Sequence, residues 1–183
     1  MSFVQMPELS IASFSLATGL LALLLSIAGF QAKERNGVLV VLCASNLFWC
    51  MHFYLIGALT GSAMNAVSMT RNYIYLRHRN LYSDFRFPII FVAIFLFATT
   101  LTWQGSLSLL PLGGSVTGTI ASWQRNPKSI RLLSLLAPPM WFSYNFIQGS
   151  YPGMIIEIFV FCSISVAILR YDIFGQSEPV SQK

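Results

Sequence analysis

The chain has 183 residues, 55% of them hydrophobic and only 9% charged, with a formal net charge of +5. A soluble domain of this length could not cover so much apolar surface with so few charges, so an ordinary globular fold is excluded and a membrane protein indicated. No aromatic-interleaved basic patch or recognition-helix motif accompanies the basic excess, which therefore argues for topology and anionic lipid rather than nucleic acid.

In chain order, the apolar run Leu9–Phe30 predicts a first helix long enough to cross a bilayer. Only Glu8, and no basic residue, precedes it, so it reads as a span rather than a removable signal. Gly37–Gly57 predicts the second helix and Thr60–Leu76 a more polar third; Phe87–Trp103 is an apolar fourth. Leu107–Trp123, the fifth, contains Pro111, Gly113, Gly114 and Gly118. Ile130–Ile147, the sixth, is interrupted by Pro138 and Pro139, and Tyr151–Leu169 is an apolar seventh. Polar or proline-broken helices suit the inside of a bundle, where neighbours satisfy their backbone.

The expected fold is an all-α membrane protein of seven helices, with residues 1–183 forming a single integral domain. Residues 9–76 make a first triple-helix bundle, 87–103 a linker helix, 107–171 a second bundle and 172–183 a C-terminal tail. If all seven runs cross, every one of the eleven basic residues falls on one side, from Lys33 and Arg35 to Arg170 and Lys183. Basic residues stay cytoplasmic, so the N-terminus is expected outside and the C-terminus in the cytoplasm.

The two expected bundles read as one pattern written twice. Under a shift of 93 residues Gln31 falls on Gln124 and Arg77 on Arg170; under a shift of 92, Trp49 falls on Trp141, Gly57 on Gly149, Gly61 on Gly153, and Asn65 on Glu157. A shared period with a spacer is how pseudo-symmetric transporters are built, with a site where the halves meet.

Polar side chains inside spans carry the functional signal. Ser45, Trp49 and His52 lie on one face of the second helix, at i, i+4 and i+7; Ala137, Trp141 and Tyr144 repeat that face on the sixth. Asn65 on the third helix and Glu157 on the seventh each follow their tryptophan by 16 residues. Indoles stack on planar or ring-shaped solutes, and an amide and a carboxylate orient hydroxyl or amine groups. The structural alternatives are an interfacial or packing tryptophan and a simple interhelical amide bond. Inserting Glu157 ionised costs roughly 2.5–3.5 kcal/mol, so it is expected to be protonated, hydrated or paired, with Arg71 or His52 as candidate partners. Pro138 and Pro139 free carbonyls near Ser134 and Leu135, which implies either a hydrated kink or a structural bend. Cys43, Cys50 and Cys162 show no metal-ligand spacing and read as small buried hydrophobes; no metal or cofactor is implied.

Seven helices arranged as three, one and three resemble the PQ-loop (MtN3) superfamily, which includes SWEET and SemiSWEET sugar carriers. The segments SIAGFQAKERNG and ASWQRNPKSIRLLS, together with the chain length, are more closely similar to the YgjV-type bacterial inner-membrane proteins. The resemblance covers nearly the whole chain. It implies a bacterial inner-membrane location and a central solute site, onto which Trp49, Asn65 and Trp141 map directly. Glu157 stands where the second Asn is expected, which implies an amine-bearing or proton-linked solute. The family's Pro-Gln hinge is replaced by Phe30-Gln31 and Trp123-Gln124, so Gln31, Gln124, Pro138 and Pro139 are the residues left to act as hinge or repeat marks.

Two functions follow as expectations. The first is a SWEET-like small-solute carrier or facilitator, with Trp49, Asn65, Trp141, Glu157, Ser45, His52 and Tyr144 at its site. The alternative is a membrane receptor, scaffold or assembly protein that kept the fold without transport. No Ser/His/Asp constellation, metal-protease motif or phosphate loop argues for an enzyme.

Overall fold

The computed structural model describes residues 8–31, 35–77, 85–124 and 126–175. Among these there are helices and no strands. The helices are α1 (Glu8–Gln31), α2 (Arg35–Leu55), α3 (Leu59–Arg77), α4 (Arg86–Leu101), α5 (Leu109–Trp123), α6 (Pro127–Ser134), α7 (Ala137–Ile147) and α8 (Tyr151–Ala167). A 3-10 turn, Ser106–Ser108, leads into α5, and a π-helical segment, Ile168–Ile173, prolongs α8.

The sixth expected helix is two helices, so α6 and α7 stand where one rod was predicted. Pro138 and Pro139 cannot donate to Ser134 and Leu135, but a proline is tolerated in the first turn of a helix, where no donor is needed. The chain therefore breaks ahead of the prolines, at Leu135–Leu136, and restarts with Pro138 inside the first turn of α7. Helical backbone continues to Ile173, past residue 171, where a second bundle was expected to end.

Three stretches are long and apolar enough to cross a membrane: Ser10–Gly29, Asn36–Leu55 and Tyr151–Ile173; α4 is apolar but shorter. Their outward faces carry large hydrophobics such as Leu24, Ile89, Phe97, Ile155 and Val166. The buried set, in contrast, includes Ser15, Ser26, Ser45, His52, Thr60, Asn65, Thr119 and Asn145. Apolar side chains turned outward around polar ones turned inward are the arrangement a hydrocarbon solvent favours. Cys162 belongs to the exposed surface of α8, contrary to its expected burial, whereas Cys43 and Cys50 are half-buried.

Helix neighbours close a ring. α1 packs on α2, α2 on α3, α3 on α5, α5 on α7, α7 on α8, and α8 back on α1. α4 lies outside that ring, against α3 and α5, where its Phe91 and Phe95 cover Met64. Glycine ends α2 and α7 in the same way. Gly57 and Gly149 adopt φ of 76° and 70°, a left-handed conformation that side-chain-bearing residues resist. Around Gly57, Ala58 N bonds Phe53 O at 2.8 Å and Gly57 N bonds Tyr54 O at 3.1 Å; Ser150 N to Asn145 O (2.9 Å) and Gly149 N to Phe146 O (3.3 Å) repeat the pattern. Both are Schellman turns, and they define what is called here the turn end of the bundle. The opposite, basic end carries Arg71, Arg77, Arg131 and Arg170.

Candidate functional site

A cavity of about 720 Å³ lies within the ring and extends toward the basic end, where Arg71, Arg131 and Ser134 line it. Trp49, Asn65, Trp141, Glu157 and Ser45 all line it. His52 and Tyr144 do not, although both were expected at the site. They sit on the same helical stripes but further toward the turn end, where they are buried and reach across to the starts of α8 and α3.

The indole of Trp49 donates to Ser26 Oγ of α1 at 3.1 Å, and the Ser26 and Ser45 hydroxyls lie 2.7 Å apart. These bonds fix α2 against α1 and set the plane of Trp49. Trp141 lies close over α5: a Cβ at Gly114 would fall 2.6 Å from the Trp141 Nε1. The two indoles do not face each other across an empty hollow, as the sequence pattern suggested. Phe53 stands between them, its ring centroid 5.8 Å from that of Trp49 and 5.9 Å from that of Trp141. Such separations lie in the range of favourable aromatic pairing. The result is a continuous aromatic wall at the closed end of the cavity.

Asn65 donates through Nδ2 to Gly61 O at 2.9 Å, leaving its carbonyl oxygen for other use. Glu157 has neither a hydrogen bond nor an ion pair among the described residues. The two expected partners are engaged elsewhere. Arg71 donates to Thr119 of α5, and Arg131, not Arg71, forms the carboxylate pair, with Asp172 at 2.7 and 3.0 Å.

His52 Nδ1 lies 2.7 Å from Ser15 O, and its Nε2 2.8 Å from Ser150 Oγ. A carbonyl can only accept, so Nδ1 bears the proton and Nε2 accepts from Ser150, whose hydroxyl oxygen also caps Gly153 N at 3.2 Å. Tyr144 Oη accepts from Gly61 N at 2.9 Å. These two contacts have the same form: His52–Ser150 joins α2 to the start of α8, and Tyr144–Gly61 joins α7 to the start of α3. Glycine makes both possible. A Cβ at Gly61 would meet Tyr144 Cε1 at 2.7 Å, and one at Gly19 would meet His52 Nδ1 at 2.7 Å. Beside them Thr60 Oγ1 donates to Thr102 O at 2.7 Å, and Gln104 Nε2 donates to Gly57 O at 2.8 Å. The turn end is thus stitched shut.

Of the expected hinge residues, Pro138 lines the cavity, while Pro139 faces the α7–α8 crevice with Glu157. Gln124 follows α5 and donates to Ile120 O at 3.2 Å. Gln31 ends α1; its side chain lies outside the described residues. Phe53, Asn145, Ser115 and Arg131 line the cavity without having been singled out from the sequence. Phe53 and Asn145 were within reach, since each follows a site tryptophan by one helical turn and the two coincide under the shift of 92.

An outward apolar surface, a set of polar side chains buried inside and membrane-length helices define a polytopic helical membrane protein. Residues 13–173 match the model of Imp-YgjV, a bacterial inner membrane protein family. The chain belongs to that family, and its place is the bacterial inner membrane. No match was found among curated proteins or among solved structures.

Proposed function

We propose that this protein is a small-solute carrier, not an enzyme, with the cavity between two pseudo-symmetric halves as its site. On this reading α1–α3 and α5–α8 are the two triple-helix units, counting α6 and α7 as one, with α4 as linker. The N-terminus is outside and the C-terminus cytoplasmic, as positive-inside sorting of all eleven basic residues requires. The kinship proposed is with PQ-loop, SWEET-like carriers. The helix contacts favour it, because exchanging α1 with α5, α2 with α7 and α3 with α8 maps the ring of neighbours onto itself.

The observation that carries the proposal is the reciprocal pair His52–Ser150 and Tyr144–Gly61, which ties the helices together at one end of the cavity, while the cavity itself extends toward the other, basic end. Alternating access needs such a closure at one end at a time. Magnitude supports it as well. Interhelical hydrogen bonds in membranes average about 0.6 kcal/mol, so two or three of them hold an end closed and still release it on the timescale of turnover.

The test is uptake into liposomes reconstituted with the full chain, using a labelled panel of sugars, nucleosides and amines. Concentrative or exchange uptake, abolished by Trp141→Ala, is expected. Inactivity of folded protein across the panel would favour a receptor or scaffold, a reading that the absent Pro-Gln hinges at Phe30-Gln31 and Trp123-Gln124 also suit.

A further inference from the structure

Positive charge at the basic end gathers in one corner, where α6 meets the end of α8. Asn126 caps α6 by accepting from Lys128 N at 3.0 Å, and Lys128 and Arg131, three residues apart, share a face of that short helix. Against them the π-helical segment supplies Arg170, Tyr171 and Asp172. Its wide turn, closed by Phe174 N on Leu169 O at 3.0 Å, is a form that recurs at functional sites. Arg131 holds Asp172 with two bonds. The Tyr171 ring has the Arg131 Cζ 5.5 Å from its centroid and the Arg170 Cζ 5.2 Å from it.

Three cations thus surround one carboxylate, since Lys128 also acts on Asp172 electrostatically. The two guanidiniums beside Tyr171 stand at most about 11 Å apart, roughly one screening length, so each feels the other's charge. Glu157, the next described carboxylate back along α8, is fifteen residues away, roughly 22 Å along the axis. The surplus lies at the surface, because Lys128 and Arg170 are exposed. Exposed apolar side chains adjoin it, Leu132 on α6 and Leu169, Ile173 and Phe174 at the end of α8. Tyr151–Ile173 is a membrane-length stretch, so its end stands where acyl chains give way to headgroups.

We infer that this corner is a binding site for an anionic phospholipid. The phosphate lies against Lys128, Arg131 and Arg170, and the acyl chains run along Leu169 and Ile173. Basic pockets between helices at a membrane surface take such heads. Guanidiniums match phosphate oxygens with paired N–H groups, and a lysine adds a point charge. A phosphocholine head carries its own cation and so offsets less of the surplus. A soluble phosphate has no chains for the apolar flank. Arg131 also lines the central cavity, so the lipid sits at the cavity's rim and ties α6 to the end of α8. The site is independent of whether the cavity carries a solute.

Titration of the purified full chain, in uncharged micelles, with acyl-labelled phosphatidylglycerol and phosphatidylcholine tests the site. Phosphatidylglycerol is expected to bind about tenfold or more tightly than phosphatidylcholine. Lys128→Gln and Arg170→Gln are each expected to weaken its binding about fivefold, and the double variant about twenty-fivefold. An unchanged helical spectrum and elution position show that a variant has folded. Arg77→Gln removes the same charge at the end of α3, where Arg77 lies over Tyr73, and is expected to change binding by less than about twofold. Equal binding of the two lipids, or equal losses from Arg77→Gln and Arg170→Gln, would overturn the inference in favour of diffuse surface charge. Displacement of the labelled lipid by a modest excess of inorganic phosphate would overturn it in favour of a soluble anion. No uptake is measured, so a failed carrier leaves this result standing.

Discussion

The two ends of the bundle are held by different chemistry. At the turn end the bonds are neutral, join helices far apart in the sequence, and seat aromatic side chains on glycines: His52 over Gly19, Tyr144 over Gly61. At the basic end the ties are charged, Arg131 to Asp172 and Arg71 to Thr119, and both arginines line the cavity. The contrast teaches where each kind of bond is affordable. Neutral hydrogen bonds can close a water-free end because neither partner carries a Born penalty, whereas ion pairs belong where solvent still reaches them.

The sharpest way to break this contrast is chemical access. With the native cysteines replaced by alanine, an impermeant thiol reagent is expected to label Ser134→Cys, at the basic end, about tenfold or more faster than Ser15→Cys, at the closed end. Equal labelling would mean that the turn end is not closed. Adding His52→Ala is expected to raise labelling of Ser15→Cys and leave Ser134→Cys as it was.

Stability measurements in micelles sharpen the comparison further. Gly61→Ala is expected to cost about 1–3 kcal/mol, because its Cβ would overlap the Tyr144 ring and overpacking is expensive. Gly118→Ala meets nothing within 4 Å and should be neutral or stabilise by up to about 1 kcal/mol. Denaturant unfolding that gave both alanines the same sign would remove the glycine-seat argument. Tyr144→Phe, which loses a single interhelical bond, is expected to cost about 0.6 kcal/mol. The smallest shift belongs to Asp172→Asn at the basic end, and raising the salt concentration should shrink it further. A larger shift for Asp172→Asn than for Gly61→Ala would reverse the proposed division between the ends.

Helix positions were legible in the sequence because a membrane imposes long apolar runs, and the break in the sixth run was legible from Pro138 and Pro139. The location of that break was not, since prolines mark the start of the following helix rather than the end of the preceding one. Within the candidate site, Trp49, Ser45 and Asn65 were reachable from one-face spacing alone. His52 and Tyr144 obey the same spacing, yet depth along the helix, which periodicity does not encode, places them in the seal. Phe53 and Asn145 escaped because one is apolar and the other, set in an aromatic-rich helix, resembled a packing amide. The Arg131–Asp172 pair escaped for another reason. It depends on which helix ends become neighbours, and that is a property of the closed ring rather than of any single segment.

Phe53 and Asn145 coincide under the shift of 92 residues and both line the cavity, yet one is an aromatic hydrocarbon and the other a carboxamide whose oxygen is packed away without a hydrogen-bond partner. However alike the two stretches of sequence are, they furnish opposite flanks of the chamber differently.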